Sequence, residues 1–246
     1  MTLTSPERLE AAAIAARRDW YDAVPGAFGA VVGEVAGATV FSVRSQPTSS
    51  YLNQVVVTGG DVDVEAALAR IGHARDPLVH VPDWTGRVDV PGFRAAEDLV
   101  RMTMRLDDLP PVPPLPAGMR LEVVTDPARA DQLGAVAAEG VTPVPQTVTV
   151  GRRGWIWVAV LGPEGTPIGA GLSYVAEEVA VCANAGVVPD QRRQGLHTAM
   201  LVARLRAAAA AGATVMTSLA TTESPSHLSQ AKLGATVACR VTHHRR

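Results

Sequence analysis

From residue 118 onward, short β-branched runs alternate with three helical stretches, and each break carries its own turn chemistry. Residues 120–124 predict a strand; Asp126 then caps a helix that opens at Pro127 and ends at Gly140. Residues 155–161 and 168–175 predict two strands joined through Gly162-Pro163-Glu164-Gly165 as an antiparallel hairpin. A second hairpin turns at Ala176-Glu177-Glu178 into a buried strand over 179–188. After Gly195 the pattern is helical to Ala211, with Leu196, Met200, Ala203 and Ala207 on one stripe, Leu205 elsewhere and a stop at Gly212. Residues 213–219 predict the next strand, Ser224-Pro225 opens a short helix ending at Gly234, and residues 236–243 close as a strand.

Towards the amino terminus the same succession recurs in a worn form. Residues 52–58 read as a strand, 62–73 as a helix and 78–81 as a strand. Gly92-Phe93 followed by 99–106 then repeats the way Gly234 leads into the last strand. Between the two halves lies Leu109-Pro110-Pro111-Val112-Pro113-Pro114-Leu115-Pro116, whose prolines exclude a helix or a central strand and favour extended polyproline II. It reads as a stiff spacer, more simply than as a PxxP ligand. The expected organisation is residues 1–108, a linker over 109–117, and residues 118–246.

Composition changes the picture little. Hydrophobic residues make up 47% of the 246, enough for packed cores, while 4% aromatics leaves alanine and valine to fill them. A net charge of −2, with no basic run interleaved with aromatics, gives no reason to expect nucleic acid or an anionic membrane as partner. Cys182 and Cys239 fit a reducing compartment better than a disulfide framework. No signal-peptide pattern and no apolar run of bilayer length is present, so the expected location is cytoplasmic. Gly-x-Ser-x-Gly, Walker, Cys-x-x-Cys and HExxH patterns are all missing, and no metal site is expected.

The junction Val187-Val188-Pro189-Asp190-Gln191-Arg192-Arg193-Gln194-Gly195-Leu196-His197 carries the candidate chemistry. A strand runs into a glycine-bearing turn that opens a helix, so the backbone N–H groups of residues 193–198 and the positive end of the helix dipole converge on one anion. Gly195 lets the anion come close, and Arg192 and Arg193 add charge. A diphosphate is the natural guest.

At these residues the chain resembles the GNAT superfamily of acyl-CoA N-acyltransferases, whose loop reads Gln/Arg-x-x-Gly-x-Gly/Ala after a strand ending Val-x-Pro. Arg192 and Gly195 match; His197 departs, standing where the family usually has Gly or Ala, although some tandem members carry a larger polar residue there. The element order over 118–246 is also that of the GNAT fold. The resemblance implies an α/β protein of the α+β type, with a mixed, mostly antiparallel sheet flanked by helices and two GNAT-like halves in tandem. The first half, with Gly59-Gly60-Asp61 in place of the loop, is expected to bind no coenzyme A.

The resemblance further implies acetyl-CoA or another acyl-CoA as co-substrate. It would be held by Gly186, Val187 and Val188 at the pantetheine arm and by Arg192, Arg193, Gln194, Gly195, Leu196, His197 and Thr198 at the phosphates. Ser226 would lie near the pantetheine or the sulfur. The expected partner is a small-molecule or peptide amine, with a homodimer left open. No catalytic base is assigned: residues 179–186 contain no carboxylate, Glu177 and Glu178 sit at a turn, and Glu223 and His227 flank a helix start. Gln230 stands where the family often places a proton-donating Tyr. A noncatalytic acyl-CoA-binding module and an acyl-CoA-processing enzyme such as a decarboxylase remain alternatives to acyl transfer.

Overall fold

The computed structural model describes residues 4–137 and 146–246. Contacts divide the chain into two compact units, neither of them a continuous stretch. A first unit comprises Thr4–Met102, Leu219–Ala231 and Thr236–Arg246, and a second comprises Thr103–Ser218 and Lys232–Ala235. The final helix and strand, expected with the second half, thus group with the first.

In the first unit, helix α1 (Pro6–Ala23) starts where the Ser5 side chain accepts from the Arg8 amide and Pro6 pre-sets the first turn. Its buried face, Leu9, Ala12, Ala16 and Trp20, repeats at helical spacing. Strands β1 (Ala30–Val35), β2 (Ala38–Val43), β3 (Gln54–Val57), β4 (Leu78–Pro82), β5 (Arg94–Arg105) and the carboxy-terminal β11 (Thr236–Arg245) follow the order β1-β2-β3-β4-β11-β5. Helix α2 (Val64–Arg70) is capped by Asp63, which accepts from the Ala66 amide at 2.9 Å. Val40, Val55, Val57, Ala67, Ile71 and Val79 form the core beneath it.

This unit also buries a charge cluster. Glu10 receives Arg101 at 2.6 Å and His80 at 3.3 Å, and His80 Nδ1 meets His243 Nε2 at 3.2 Å across the β4–β11 pair. Burial opposes ionisation of Glu10, yet Arg101 and His80 outweigh it and hold the carboxyl below its usual range.

The second unit has the order β10-β9-β8-β7-β6, made of β6 (Arg120–Val124), β7 (Trp155–Leu161), β8 (Pro167–Ala176), β9 (Val179–Val187) and, as far as Ser218, β10 (Val215–Thr221). Strands β6 to β9 pair antiparallel and β10 pairs parallel with β9. One face is covered by α3 (Ala130–Ala137), which enters through a 3-10 turn over Pro127–Arg129 capped by Asp126. The expected end of that helix at Gly140 lies outside the described residues. The other face carries α4 (Leu196–Ala210), with Leu196 and Met200 packed on Val158, Val160 and Val187.

One expected boundary is corrected, and two elements carry more than the sequence pattern shows. Helix α4 is buried beyond the Leu196–Met200 stripe: Ala199, Leu201, Val202, Arg204, Leu205 and Ala208 are also interior, whereas Ala203 and Ala207 are half-buried. Strand β10 begins two residues later than position 213, since the Ala213 amide is spent on the Ala208 carbonyl (3.0 Å) where Gly212, at φ +100°, ends the helix. The proline segment is more than a spacer: the Arg206 guanidinium donates to the carbonyls of Leu109 (3.0 Å) and Pro110 (2.8 Å) and ties it to α4.

Candidate functional site

Strand β9 leaves the sheet with Val188 N–H still bonded to the Ile168 carbonyl (2.9 Å). A 3-10 turn over Pro189–Gln191 follows, then two left-handed residues, Arg193 at φ +64° and Gly195 at φ +79°, before α4 begins. Ala199 N–H is the first in the helix to find a carbonyl, that of Gly195 at 3.0 Å. Among the described residues, no acceptor is paired with the backbone N–H groups of 193–198. A Cβ built on Gly195 meets nothing within 4 Å, so the glycine is required by its φ rather than by a close neighbour.

The loop side chains take different parts. Leu196, 1% exposed, is a core anchor that fixes the start of α4. Arg192 turns back so that its Nε donates to the Val187 carbonyl at 2.9 Å, tying the turn to the strand it leaves. Gln194 reaches Gln191 (3.0 Å), and Arg193 is exposed with no partner among the described residues. His197 is pushed down to about 4, by burial and secondarily by the Arg204 charge, so its ring is neutral near pH 7 and adds no positive charge to the turn. Thr198 is half-buried.

Gly186 answers to a different demand. A Cβ there would lie 2.4 Å from the Val136 carbonyl oxygen, so α3 packs directly on the strand backbone and only glycine fits.

Just before it, the β8–β9 register shifts: Gly171 pairs Ala185 while Leu172 pairs Ala183, leaving Asn184 as a bulged residue at φ +35°. The last described β9–β10 pair is Cys182 with Ser218, and β9 runs on past it to Val187. Behind the bulge sits Arg204, 3% exposed, whose Nη1 donates to the carbonyls of Leu172 (2.8 Å) and Ala183 (3.1 Å). Its Nε has no partner among the described residues, and burial lowers its pKa against the opposing influence of Cys182. Sequence reasoning passed over this residue, since Arg204 and the exposed Arg206 carry no mark that separates them.

Ser226 stands on α5 (Pro225–Lys232), whose residues up to Ala231 belong to the first unit, whereas the loop belongs to the second. Its hydroxyl accepts from Gln230 Nε2 at 3.0 Å. Capping falls to Ser224, whose Oγ accepts from the His227 amide (3.2 Å), and the His227 ring accepts from the Glu223 amide (3.0 Å). Glu177 and Glu178 form a two-residue turn, Glu177 at φ +52°.

Among solved structures, the chain is similar to a GCN5-related N-acetyltransferase from Kribbella flavida, with a TM-score of 0.68 and 17% identity over 95% of this chain and 94% of that one. It is also similar to a GCN5-related N-acetyltransferase from Sphaerobacter thermophilus (TM-score 0.62, 16% identity, 85% of this chain and 76% of that one). A tandem GNAT protein from the clavulanic acid biosynthesis pathway matches likewise (TM-score 0.60, 16% identity, 85% and 78%). No family model matches the chain, and no curated protein does. At these identities the likeness is one of fold. Among the described residues no helix is long and apolar enough to cross a membrane.

Proposed function

We propose that this chain, an α/β protein with the GNAT fold in tandem form, is an N-acyltransferase that moves an acetyl or other acyl group from acyl-CoA to the amine of a small-molecule or peptide acceptor. One observation supports the reading: among the described residues no acceptor pairs with the backbone amides of 193–198 at the amino terminus of α4, beside the exposed Arg193. That arrangement fits a diphosphate, because unpaired N–H donors, the helix dipole and a cation all favour the same anion. The strand end at Gly186 and Val187 would lie along the pantetheine arm, while Val188, its N–H and C=O taken by Ile168 and Gln191, and Arg192 would keep strand end and turn in register.

In the reaction the acceptor nitrogen forms a bond to the thioester carbon, the C–S bond breaks, the thiolate departs and the nitrogen gives up a proton. An ammonium of pKa about 10.4 is mostly protonated at pH 7, a deficit of about 4–5 kcal/mol. Strand β9 supplies no carboxylate to remove that proton, and His197 is too weak a base. An acceptor that reacts from its free-amine fraction gives a kcat/KM that rises with pH until the acceptor's own pKa is reached, whereas a protein base would level the profile earlier.

A noncatalytic acyl-CoA-binding module is the second reading. It is favoured by Gln230, which cannot donate a proton to a leaving thiolate and whose amide is engaged by Ser226. Calorimetric titration with CoA tests the shared element, and amine-dependent thiol release from acetyl-CoA over an amine panel separates the two. Binding with release supports the transferase, binding without release supports the module, and no binding sinks both.

A further inference from the structure

A buried guanidinium is costly unless its donors are met, and the usual partner is a carboxylate. Arg204 has none among the described residues; its Nη1 donates instead to the carbonyls of Leu172 and Ala183, the register pair adjoining the extra residue Asn184. A bulge interrupts the ladder and leaves main-chain carbonyls in want of donors. Arg204 provides them from the opposite side of the sheet. The space it needs is reserved: a Cβ on Gly171 would fall 3.0 Å from Nη1 and 3.1 Å from Cζ. The helix that carries Arg204 is the one whose first turn presents the unpaired amides, so a single rigid element reaches both the anion turn and the bulge.

We infer that Arg204 is a positioning residue, clamping the bulge so that the backbone groups of 183–186 stay aimed at the acyl thioester, and that this clamp sets the preference for acyl-CoA over free CoA. The inference rests on the acyl-CoA reading for its ligand, while the clamp itself is a property of the free protein. A methionine at 204 keeps the bulk and removes every donor. Gly171→Ala keeps the charge and displaces the guanidinium by a few tenths of an ångström.

Both variants are to be compared with the wild type by amide hydrogen exchange without ligand and by titration with CoA and acetyl-CoA. In Arg204→Met, amides of 183–186 should exchange at least about tenfold faster, while those of α4 stay as they were. CoA affinity should hold within about threefold. The wild-type advantage of acetyl-CoA over CoA, about tenfold for one additional hydrogen bond, should fall to parity. Gly171→Ala should move the same amides in the same direction, which keeps the test alive should Arg204→Met fail to fold. Unchanged exchange at 183–186 in a folded variant overturns the clamp. Equal weakening of CoA and acetyl-CoA overturns its role in discrimination. If the wild type binds neither, the acyl-CoA reading falls, and the exchange data still decide whether Arg204 holds the bulge.

Discussion

Gly186 is where one methyl group separates a packing role from a ligand role. An alanine there would put Cβ 2.4 Å from the Val136 carbonyl oxygen and 3.7 Å from the Ala137 Cα. The backbone at 186 is not in the left-handed region, so the effect is steric contact alone. Carbon and carbonyl oxygen tolerate about 3.3 Å, which requires α3 and β9 to part by about 1 Å. Both atoms belong to the scaffold rather than to a rotatable side chain, and β9 is held from its flank by the Ala170 pairing with Gly186. Overpacking costs about 1–3 kcal/mol, and a clash with main chain puts Gly186→Ala at the top of that range. For a chain of this size the melting temperature should drop by about 6–12 °C. Thermal and denaturant unfolding measure this, with CoA titration alongside. A melting temperature within about 2 °C of wild type refutes the packing argument; unchanged stability with lost CoA affinity would assign the glycine to ligand approach.

The turn should answer to charge and conformation separately. Arg193→Ala should weaken CoA binding by up to about fivefold at low salt, less as salt rises, because the guanidinium is exposed; a salt-independent difference in calorimetry contradicts that origin. Gly195→Ala, at φ +79°, should lose about 1–2 kcal/mol of stability, read from denaturant midpoints. Glu10→Ala strands Arg101 and His80 without their carboxylate and should cost about 3–5 kcal/mol in denaturant unfolding, whereas a loss under about 1 kcal/mol would mean the cluster is hydrated.

His197 titrates near 6.5 when unfolded and near 4 when folded, so the unfolded chain binds more protons between those values. Stability is full above that window and falls as pH drops through it. His243, at about 3, adds the same sign. Urea unfolding at neutral pH and inside the window should show a shallower decline for His197→Gln.

Elements with local punctuation were legible in advance. Strand β6 follows the predicted 120–124, the Gly162–Gly165 and Glu177-Glu178 turns fall where their chemistry places them, and Ser224-Pro225 opens α5. Helix α1 went unread despite its own signals, Ser5-Pro6 and the spacing of Leu9, Ala12, Ala16 and Trp20. The β1–β2 hairpin around Ala36-Gly37 was missed likewise. In the candidate site, the strand, the turn and Gly195 could be seen because glycine and proline mark them. The bulge at Asn184 and the burial of Arg204 could not, since register and helix rotation are settled by neighbours distant in sequence. The pairing of β11 with β4, His243 opposite His80, is of that kind as well.

Residues 236–245 lie between β4 and β5. A ribosome delivers those two flanking strands long before it delivers the ribbon that joins them, so nascent protein carries two raw inner margins through much of its synthesis, the kind of unpaired edge that invites stray association. Severing the gene within 109–117 would therefore yield one fragment missing its keystone and another bearing a strand with nowhere to go. The two pieces should recover native spectra only when mixed.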